Sequence, residues 1–436
     1  MEDTAAAMSR RLLPDDVVRE ILIRVSTDKA ALFRCATACK RWRGLVADSS
    51  FLLRCWPEGA SSLLGFFDLP KGHMQVATGR PLLFIPPPAA GSSVFGAQPR
   101  PLASIIRGTA PDGLLDGAVP EVAHGGLLLV RLLRGDYIKS VHLAVCDPLA
   151  GTCTVLPTIR CKAERATFSI LAGADFPSSK GGQQRERQTS PSNGTPSFKV
   201  LAIVGDDLDI DKRKYNLYMF SSTQPRWSRP RKCFRKHGYH VQGRCAAVCH
   251  GVARWLVRYL NDENHVHKCY TYDVSAETGH HWLTKLSIPP SQLRIGGFRG
   301  AHTLSVDANG LLSLLSIYKK VDIWRLDIWT RQTNVGSDKW LLVKVLDLKP
   351  PRPGWDPLRL DMWSGEKSGT LLIQDEYRCV HRINVETRTM VKEQFQNGLS
   401  VLAVPVEIDW ASLVFISVRL NMSQTTATLQ DKDGAM

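Results

Sequence analysis

The chain has 436 residues, 44% of them hydrophobic and 22% charged, a balance that supplies a buried core and excludes a chain disordered throughout or built on a collagen repeat. Its 56 Lys and Arg against 41 Asp and Glu leave a net +15, which raises nucleic acid, an acidic membrane surface or an acidic protein as partner. The start MEDTAAAMSRR lacks the apolar stretch of a secretory signal, no run of 18 apolar residues occurs, and the eleven irregularly spaced cysteines read as reduced thiols, so a cytoplasmic and/or nuclear protein with no membrane span is expected.

Residues 10–56 are read as a small helical module. Pro14 stands at the start of a helix, with Asp15 and Asp16 in the first turn where the macrodipole favours acids. Val18, Ile21, Leu22 and Val25 recur at helical spacing and give one apolar stripe, with Arg19, Glu20 and Arg24 on the other side. Ser26, Thr27 and Asp28 close this helix and cap a second, carried by Leu32, Cys35, Ala36, Cys39 and Trp42. Asp48, Ser49 and Ser50 offer a third cap before Phe51, Leu52 and Trp56. Three helices in so few residues bury little surface, so the module needs to dock on something.

The stretch LPDDVVREILIRVSTDKAALFRCATACKRWRGLVADSSFL resembles an F-box, the module by which substrate receptors attach to the Skp-type adaptor of a cullin-RING ubiquitin ligase. Leu-Pro at the entry, the stripe ending in Ile-Leu, and the Cys-Lys-Arg-Trp-Arg run followed by Leu45 carry the likeness. The resemblance implies that Leu13, Pro14, Val18, Leu22, Leu32, Cys35, Trp42 and Leu45 lie in or near an adaptor-facing surface. Leu13 and Pro14 precede the stripe and are the sharper contact candidates; Leu22 and Trp42 serve the module's own core equally well.

From Leu63 onward the helical period gives way to short apolar runs bounded by Gly, Pro, Asn and Asp, which reads as all-β over residues 57–420. Gly251, Gly310 and Gly369 each open a strand at intervals of 59 residues, and Gly126 lies 125 residues before Gly251, near two such periods with an insertion. A strand, a polar turn and a further strand recur at residues 146–157, 272–290 and 382–393. The 364 residues of this region hold about six such periods, so a six-bladed propeller-like domain is expected, with a pair of β-sandwiches as the alternative. The phrases CDPLAGTCTVLP, KVDIWRLD and VPVEIDW resemble the F-box-associated β domains abundant in plants, particularly the grass sets. The fold class is thus α+β multidomain: a small three-helix F-box, then a large all-β domain. Residues 176–196, rich in Gly, Ser, Pro and Gln, are expected to be a disordered loop, and residues 421–436 a disordered tail.

The charge is unevenly spread. Residues 1–58 hold ten basic and eight acidic side chains, whereas residues 212–244 hold ten basic and no acidic ones. In that segment Tyr215, Trp227, Phe234 and Tyr239 alternate with cations, among them Arg226, Arg229, Arg231, Lys232, Arg235 and Lys236. This composition suits an acidic or phosphorylated client, nucleic-acid phosphates with base stacking, or a solvated loop. Cys233, His237, His240, Cys245, Cys249, His250, His265, His267, Cys269, His280 and His281 crowd one stretch, yet no Cys-x-x-Cys pair occurs, so buried thiols and surface imidazoles are expected and no metal. No serine-hydrolase elbow, phosphate loop, zincin helix or dinucleotide fingerprint is present, so no catalytic residue and no cofactor is assigned. The reading is a non-catalytic adaptor whose N-terminal module engages a Skp-type adaptor, and through it a cullin and a RING protein, while the β domain captures a client. The alternative is a propeller-like nucleic-acid binder using the basic segment; a divergent enzyme comes third.

Overall fold

The structure is a computed structural model of the full chain. It describes residues 13–25, 32, 35, 39–46, 48, 51, 54, 61–69, 80–86, 95, 98–106, 110–133, 140–160, 166–176, 197–205, 214–235, 237–260, 266–286, 300–306, 310–320, 323–334, 337–348, 361–364, 371–374, 379–384, 389–393, 399 and 403–409. The expected tail at 421–436, and all of the expected loop at 176–196 except Phe176, lie outside these residues. The chain divides into two compact units, residues 1–60 with 409–436, and residues 61–408.

In the first unit a helix spans Asp15–Val25 and another Lys40–Val46. The first begins one residue later than the proline rule predicts: the Val18 amide donates to the Pro14 carbonyl, so Pro14 is the cap residue and Asp15 the first helical one. Val18 and Leu22, four residues apart, turn inward and are buried with Leu32, Leu45, Val46 and Phe51. The expected cap at Asp48 is present, its Oδ1 accepting the Phe51 amide at 3.2 Å. The expected cap at residues 26–28 lies outside the described residues.

The second unit is β-sheet. Its strands fall, in chain order, into antiparallel sets of four. β1 (Ser61–Asp68), β2 (Leu83–Ile85) and β3 (Arg100–Pro101) form the first, to which the last strand, β24 (Val404–Asp409), is added alongside β1. β4 (Val119–His124), β5 (Leu127–Leu132), β6 (His142–Asp147) and β7 (Thr152–Val155) form the second. β8 (Ala166–Leu171), β9 (Lys199–Gly205), β10 (Tyr215–Ser221) and β11 (Arg231–Lys232) are the third. β12 (Tyr239–Cys249), β13 (Val252–Leu260), β14 (Val266–Ser275) and β15 (His281–Lys285) are the fourth, joined to the third by a parallel pairing of Cys245 with Phe168. β16 (Gly300–Val306), β17 (Leu312–Lys320), β18 (Ile323–Asn334) and β19 (Ser337–Leu348) make the fifth. β20 (Asp361–Ser364), β21 (Leu371–Gln374), β22 (Val380–Asn384) and β23 (Thr389–Glu393) make the sixth.

From the second set to the sixth, each set packs its faces on its neighbours in the chain. Leu129, Leu143 and Val145 of the second set meet Phe168, Ile170 and Val200 of the third, and Leu201, Ile203 and Tyr215 meet Trp255, Tyr272 and Val274 of the fourth. Leu256 and Cys269 meet Leu312, Leu314 and Trp329; Leu315, Ile317 and Leu326 meet Leu371, Ile373 and Ile383. Finally Phe66 of the first set packs with Leu372 and Val380 of the sixth. A strand such as β17 is therefore buried on both faces, which is why its sequence reads as a near-continuous apolar run rather than an alternating one.

The glycine rhythm has a conformational cause. Gly125-Gly126 and His250-Gly251 are two-residue connections from the first to the second strand of the second and fourth sets, and all four residues have positive φ, between 49° and 80°. That is the left-handed pair of a type I′ hairpin, which glycine adopts without steric cost. Gly310, with φ 75°, stands at the matching place in the fifth set; Gly369 lies outside the described residues. The double interval between Gly126 and Gly251 spans the third set, where the link from β8 to β9 runs through residues 172–198 instead of a tight turn. The strand-turn-strand phrases at 146–157, 272–290 and 382–393 carry the third and fourth strands of their sets.

Candidate functional site

On the first helix the buried stripe leaves a complementary apolar stripe outside. Leu13 is 50% exposed, Val17 44% and Ile21 39%, with Pro14 exposed between them. Val17 and Ile21, four residues apart, share one helix face, and Leu13 precedes the helix beside its cap; large apolar side chains exposed in this way are what a partner's groove covers. Asp15, Asp16 and Glu20 flank the stripe with exposed carboxylates. The entry to the helix is held by Arg41 of the second helix: its Nε donates to Asp15 Oδ1 at 2.8 Å and its terminal nitrogen to the Leu13 carbonyl. Arg41 thus positions the Leu13-Pro14 corner. No residue spacing encodes this role, because a hydrogen bond across 28 residues leaves no local pattern.

The residues implicated by the resemblance separate into two groups. Val18, Leu22, Leu32 and Leu45 are buried, at 7% exposure or less, and form the unit's own core. Leu13 and Pro14 are exposed, while Cys35 and Trp42 are half-buried, the Trp42 amide donating to Cys39 Sγ at 3.4 Å. Val17 and the outward aim of Ile21 are not encoded in the pattern, because helical spacing alone does not say which side of a two-sided helix is core.

The basic segment of the second unit lies along the outer strand of the third set. Arg226, Arg229, Arg231, Lys232 and Arg235 are exposed; Lys236 lies outside the described residues. The segment is pinned at two points. The Trp227 indole N–H donates to the Pro157 carbonyl, beyond β7, at 2.6 Å and its ring packs on Phe220 at 5.5 Å. Arg231 donates to the Gly279 carbonyl in the turn before β15 at 2.7 Å. The interleaved aromatics belong mostly to the core: Tyr215 and Phe234 are buried, and Phe234 stacks on Tyr239 with ring centroids 4.9 Å apart. That leaves base stacking no aromatic face at Tyr215 or Phe234.

The Cys and His residues of the same stretch are distributed through the structure. Cys249 is buried, its Sγ 3.0 Å from His250 Nδ1 and donating to the Gly310 carbonyl at 2.7 Å. Burial pushes the Cys233 thiol up to about 12 and the Cys269 thiol up to about 11, so both are neutral and unreactive at ordinary pH. Among the described residues no three His, Cys, Asp or Glu side chains come together to hold a metal ion; His265 lies outside them. Between the fourth and fifth sets, Asp273 is fully buried with Arg254 at 3.6 Å and Arg331 at 3.7 Å. Burial still raises its pKa against the pull of both guanidiniums. On β16, burial and the Arg258 charge push His302 down to about 3, so this imidazole is neutral. Both belong to strands packed face to face and act as structural polar groups. Among the described residues no helix is long and apolar enough to cross a membrane.

Residues 11–54 match the F-box domain family. The helical unit, with its exposed apolar stripe, coincides with that match, and the rest of the described chain is mainly strand. No curated protein matches the chain. Among solved structures it is similar to an alpha-L-arabinanase of Penicillium chrysogenum complexed with arabinobiose, at 10% identity over 61% of this chain and 77% of that one, TM-score 0.37. A protein of unknown function from Dyadobacter fermentans is similar at 10% identity over 67% and 88%, TM-score 0.39. The GH93 alpha-L-arabinofuranosidase of Fusarium graminearum is similar at 8% identity over 65% and 82%, TM-score 0.35. At these scores the likenesses carry no argument about fold or chemistry.

Proposed function

We propose that the chain is a non-catalytic substrate-recognition subunit of a Skp-cullin-F-box ubiquitin ligase, acting in the cytoplasm, the nucleus or both. The observation that carries this is the F-box match over residues 11–54 on a helical unit whose first helix and its entry expose Leu13, Pro14, Val17 and Ile21. These four, with the half-buried Cys35 and Trp42, are the proposed contact surface for the adaptor. Val18, Leu22, Leu32 and Leu45 hold that surface in shape from behind.

The β region is proposed to be a six-bladed propeller of the F-box-associated kind found in plants. Support comes from the strand order: successive antiparallel sets of four, first strands side by side from one set to the next, and β24 completing the set begun by β1. Client capture is assigned to this domain, with the exposed Arg226, Arg229, Lys232 and Arg235 meeting an acidic or phosphorylated segment. Ubiquitin transfer then follows from proximity, since a bound client is held at high effective concentration near the charged enzyme that the cullin and RING subunits recruit.

The test is a pull-down of the full-length chain with a Skp-type adaptor. Val17→Asp with Ile21→Asp places charges on the exposed stripe and touches no buried side chain, so it should abolish capture while leaving the thermal unfolding of the protein unchanged. Undiminished capture by this folded double variant would refute the F-box reading.

A further inference from the structure

β6 and β7 carry two cysteines that no part of the proposed function uses. Cys146 and Cys153 are direct partners across the antiparallel pair, and their sulfurs lie 3.8 Å apart. Their place in the ladder matters. The Leu156 amide bonds to the Leu143 carbonyl, so hydrogen-bonded pairs fall at Leu143 with Leu156, at Val145 with Thr154 and at Asp147 with Thr152. Cys146 and Cys153 therefore form a non-hydrogen-bonded pair, the kind in which opposed Cα atoms approach to roughly 4.5 Å and side chains lie closest. That spacing is within the range a disulfide spans, and a bond of about 2.0 Å needs each sulfur to move only about 0.9 Å, a small χ1 rotation.

The hairpin holds this register firmly. Asp147 Oδ1 accepts the amides of Leu149 and Ala150, both at 3.0 Å, and Gly151 takes the left-handed conformation with φ 69°. The two thiols also differ in a way that orders the chemistry. Cys146 is fully buried and its S–H donates to Cys153 Sγ, while Cys153 is half-buried on the outer strand of its set. The donated hydrogen bond lowers the Cys153 thiol and raises that of Cys146.

We infer that Cys146 and Cys153 are a peroxide-responsive dithiol that closes to a reversible cross-strand disulfide. The Cys153 thiolate attacks a peroxide oxygen; the O–O bond breaks, one oxygen stays on sulfur as the sulfenic acid, and the other leaves as water after protonation. The Cys146 sulfur then attacks the sulfenic sulfur, the S–S bond forms, and the hydroxyl leaves with the Cys146 proton as a second water. Two thiols lose two electrons in all, and one peroxide is reduced to two waters. A cross-strand bond on an outer strand is accessible to thiol exchange, which suits a labile rather than a purely structural bridge.

The test uses the full-length chain treated with increasing hydrogen peroxide, then unfolded, alkylated and mapped by mass spectrometry. The first product should be a species lighter by two hydrogens, with the peptides containing Cys146 and Cys153 linked, restored by dithiothreitol. Cys153→Ser, a change on a half-buried edge, should leave Cys146 alkylatable at the same peroxide dose. Recovery of both as free thiols while other cysteines oxidise, oxidation of Cys153 straight to the sulfinic acid, or linkage of either cysteine to a different one would overturn the assignment.

Discussion

At the scale of single residues, neighbouring positions on one helix have opposite duties. Leu22 is fully buried and Ile21 is 39% exposed, although both are large aliphatics and one bond apart in sequence. Truncating Leu22 to Ala leaves a cavity in a small core and should cost about 2–5 kcal/mol, enough to unfold a unit of this size. Ile21→Ala should leave stability within about 0.5 kcal/mol and weaken adaptor capture instead. Chemical denaturation followed by helical signal distinguishes the two. His302 makes a second residue-scale prediction. Its pKa is about 3 in the folded chain, against about 6.5 for an unfolded imidazole. Above pH 6.5 both states are neutral and His302 is silent. As pH falls below 6.5 the unfolded chain takes up a proton that the folded chain refuses, so stability drops by about 1.4 kcal/mol per pH unit until about pH 3. His302→Gln should remove that part of the acid sensitivity, measured as a shallower fall in unfolding free energy between pH 6 and pH 4 in about 0.1 M salt. Equal slopes for both proteins would show that the imidazole is reached by water.

At the scale of elements, tight turns and close approaches decide where substitutions are tolerated. Gly65 in the middle of β1 has no room for a side chain: a Cβ there would overlap the Ile85 carbonyl oxygen and come within 2.7 Å of the Phe84 ring. Gly65→Ala must push β1 away from β2 and should destabilise the second unit by about 1–3 kcal/mol, seen as a lowered midpoint of its unfolding transition. The equivalent change at Gly44, where nothing lies within 4 Å, should be tolerated far better. This contrast also shows what the sequence could and could not reveal. The strand rhythm was legible because Gly126, Gly251 and Gly310 mark real left-handed turns at the same place in the second, fourth and fifth sets. Gly65 was illegible, since its necessity arises from a strand twenty residues away. The basic segment was legible as charge, but the core duties of Tyr215 and Phe234 and the anchor at Trp227 depend on contacts with other sets that no local pattern encodes. The adaptor face was half legible for the same reason: the helix showed its stripe, and packing chose which side of it was covered.

At the scale of the β domain, its first and last described strands meet in one sheet. β24 comes from the far end of the unit, beyond the sixth set, yet lies beside β1, and Phe66 on β1 packs with Leu372, Val380, Leu399 and Ala403. The second unit is thus tied from its far end back to β1 by the backbone hydrogen bonds of β24, beside the apolar contact of Phe66 with the sixth set. Its stability is therefore expected to be cooperative across all sets, because opening any one seam exposes two faces at once. Ending the chain after residue 402 removes β24 and the buried Ala403, Val404 and Val406, leaving an inner strand edge without its partner. The truncated protein should lose the single sharp unfolding transition of the whole β domain, melt over a broader and lower range, and become sensitive to protease around β1. Adding a synthetic peptide of residues 403–409 should restore part of the lost protection, since the missing strand carries its own hydrogen-bonding groups and three buried apolar side chains. An unchanged melting profile after truncation would mean that the sheets are stabilised pairwise along the chain and that the closure contributes little.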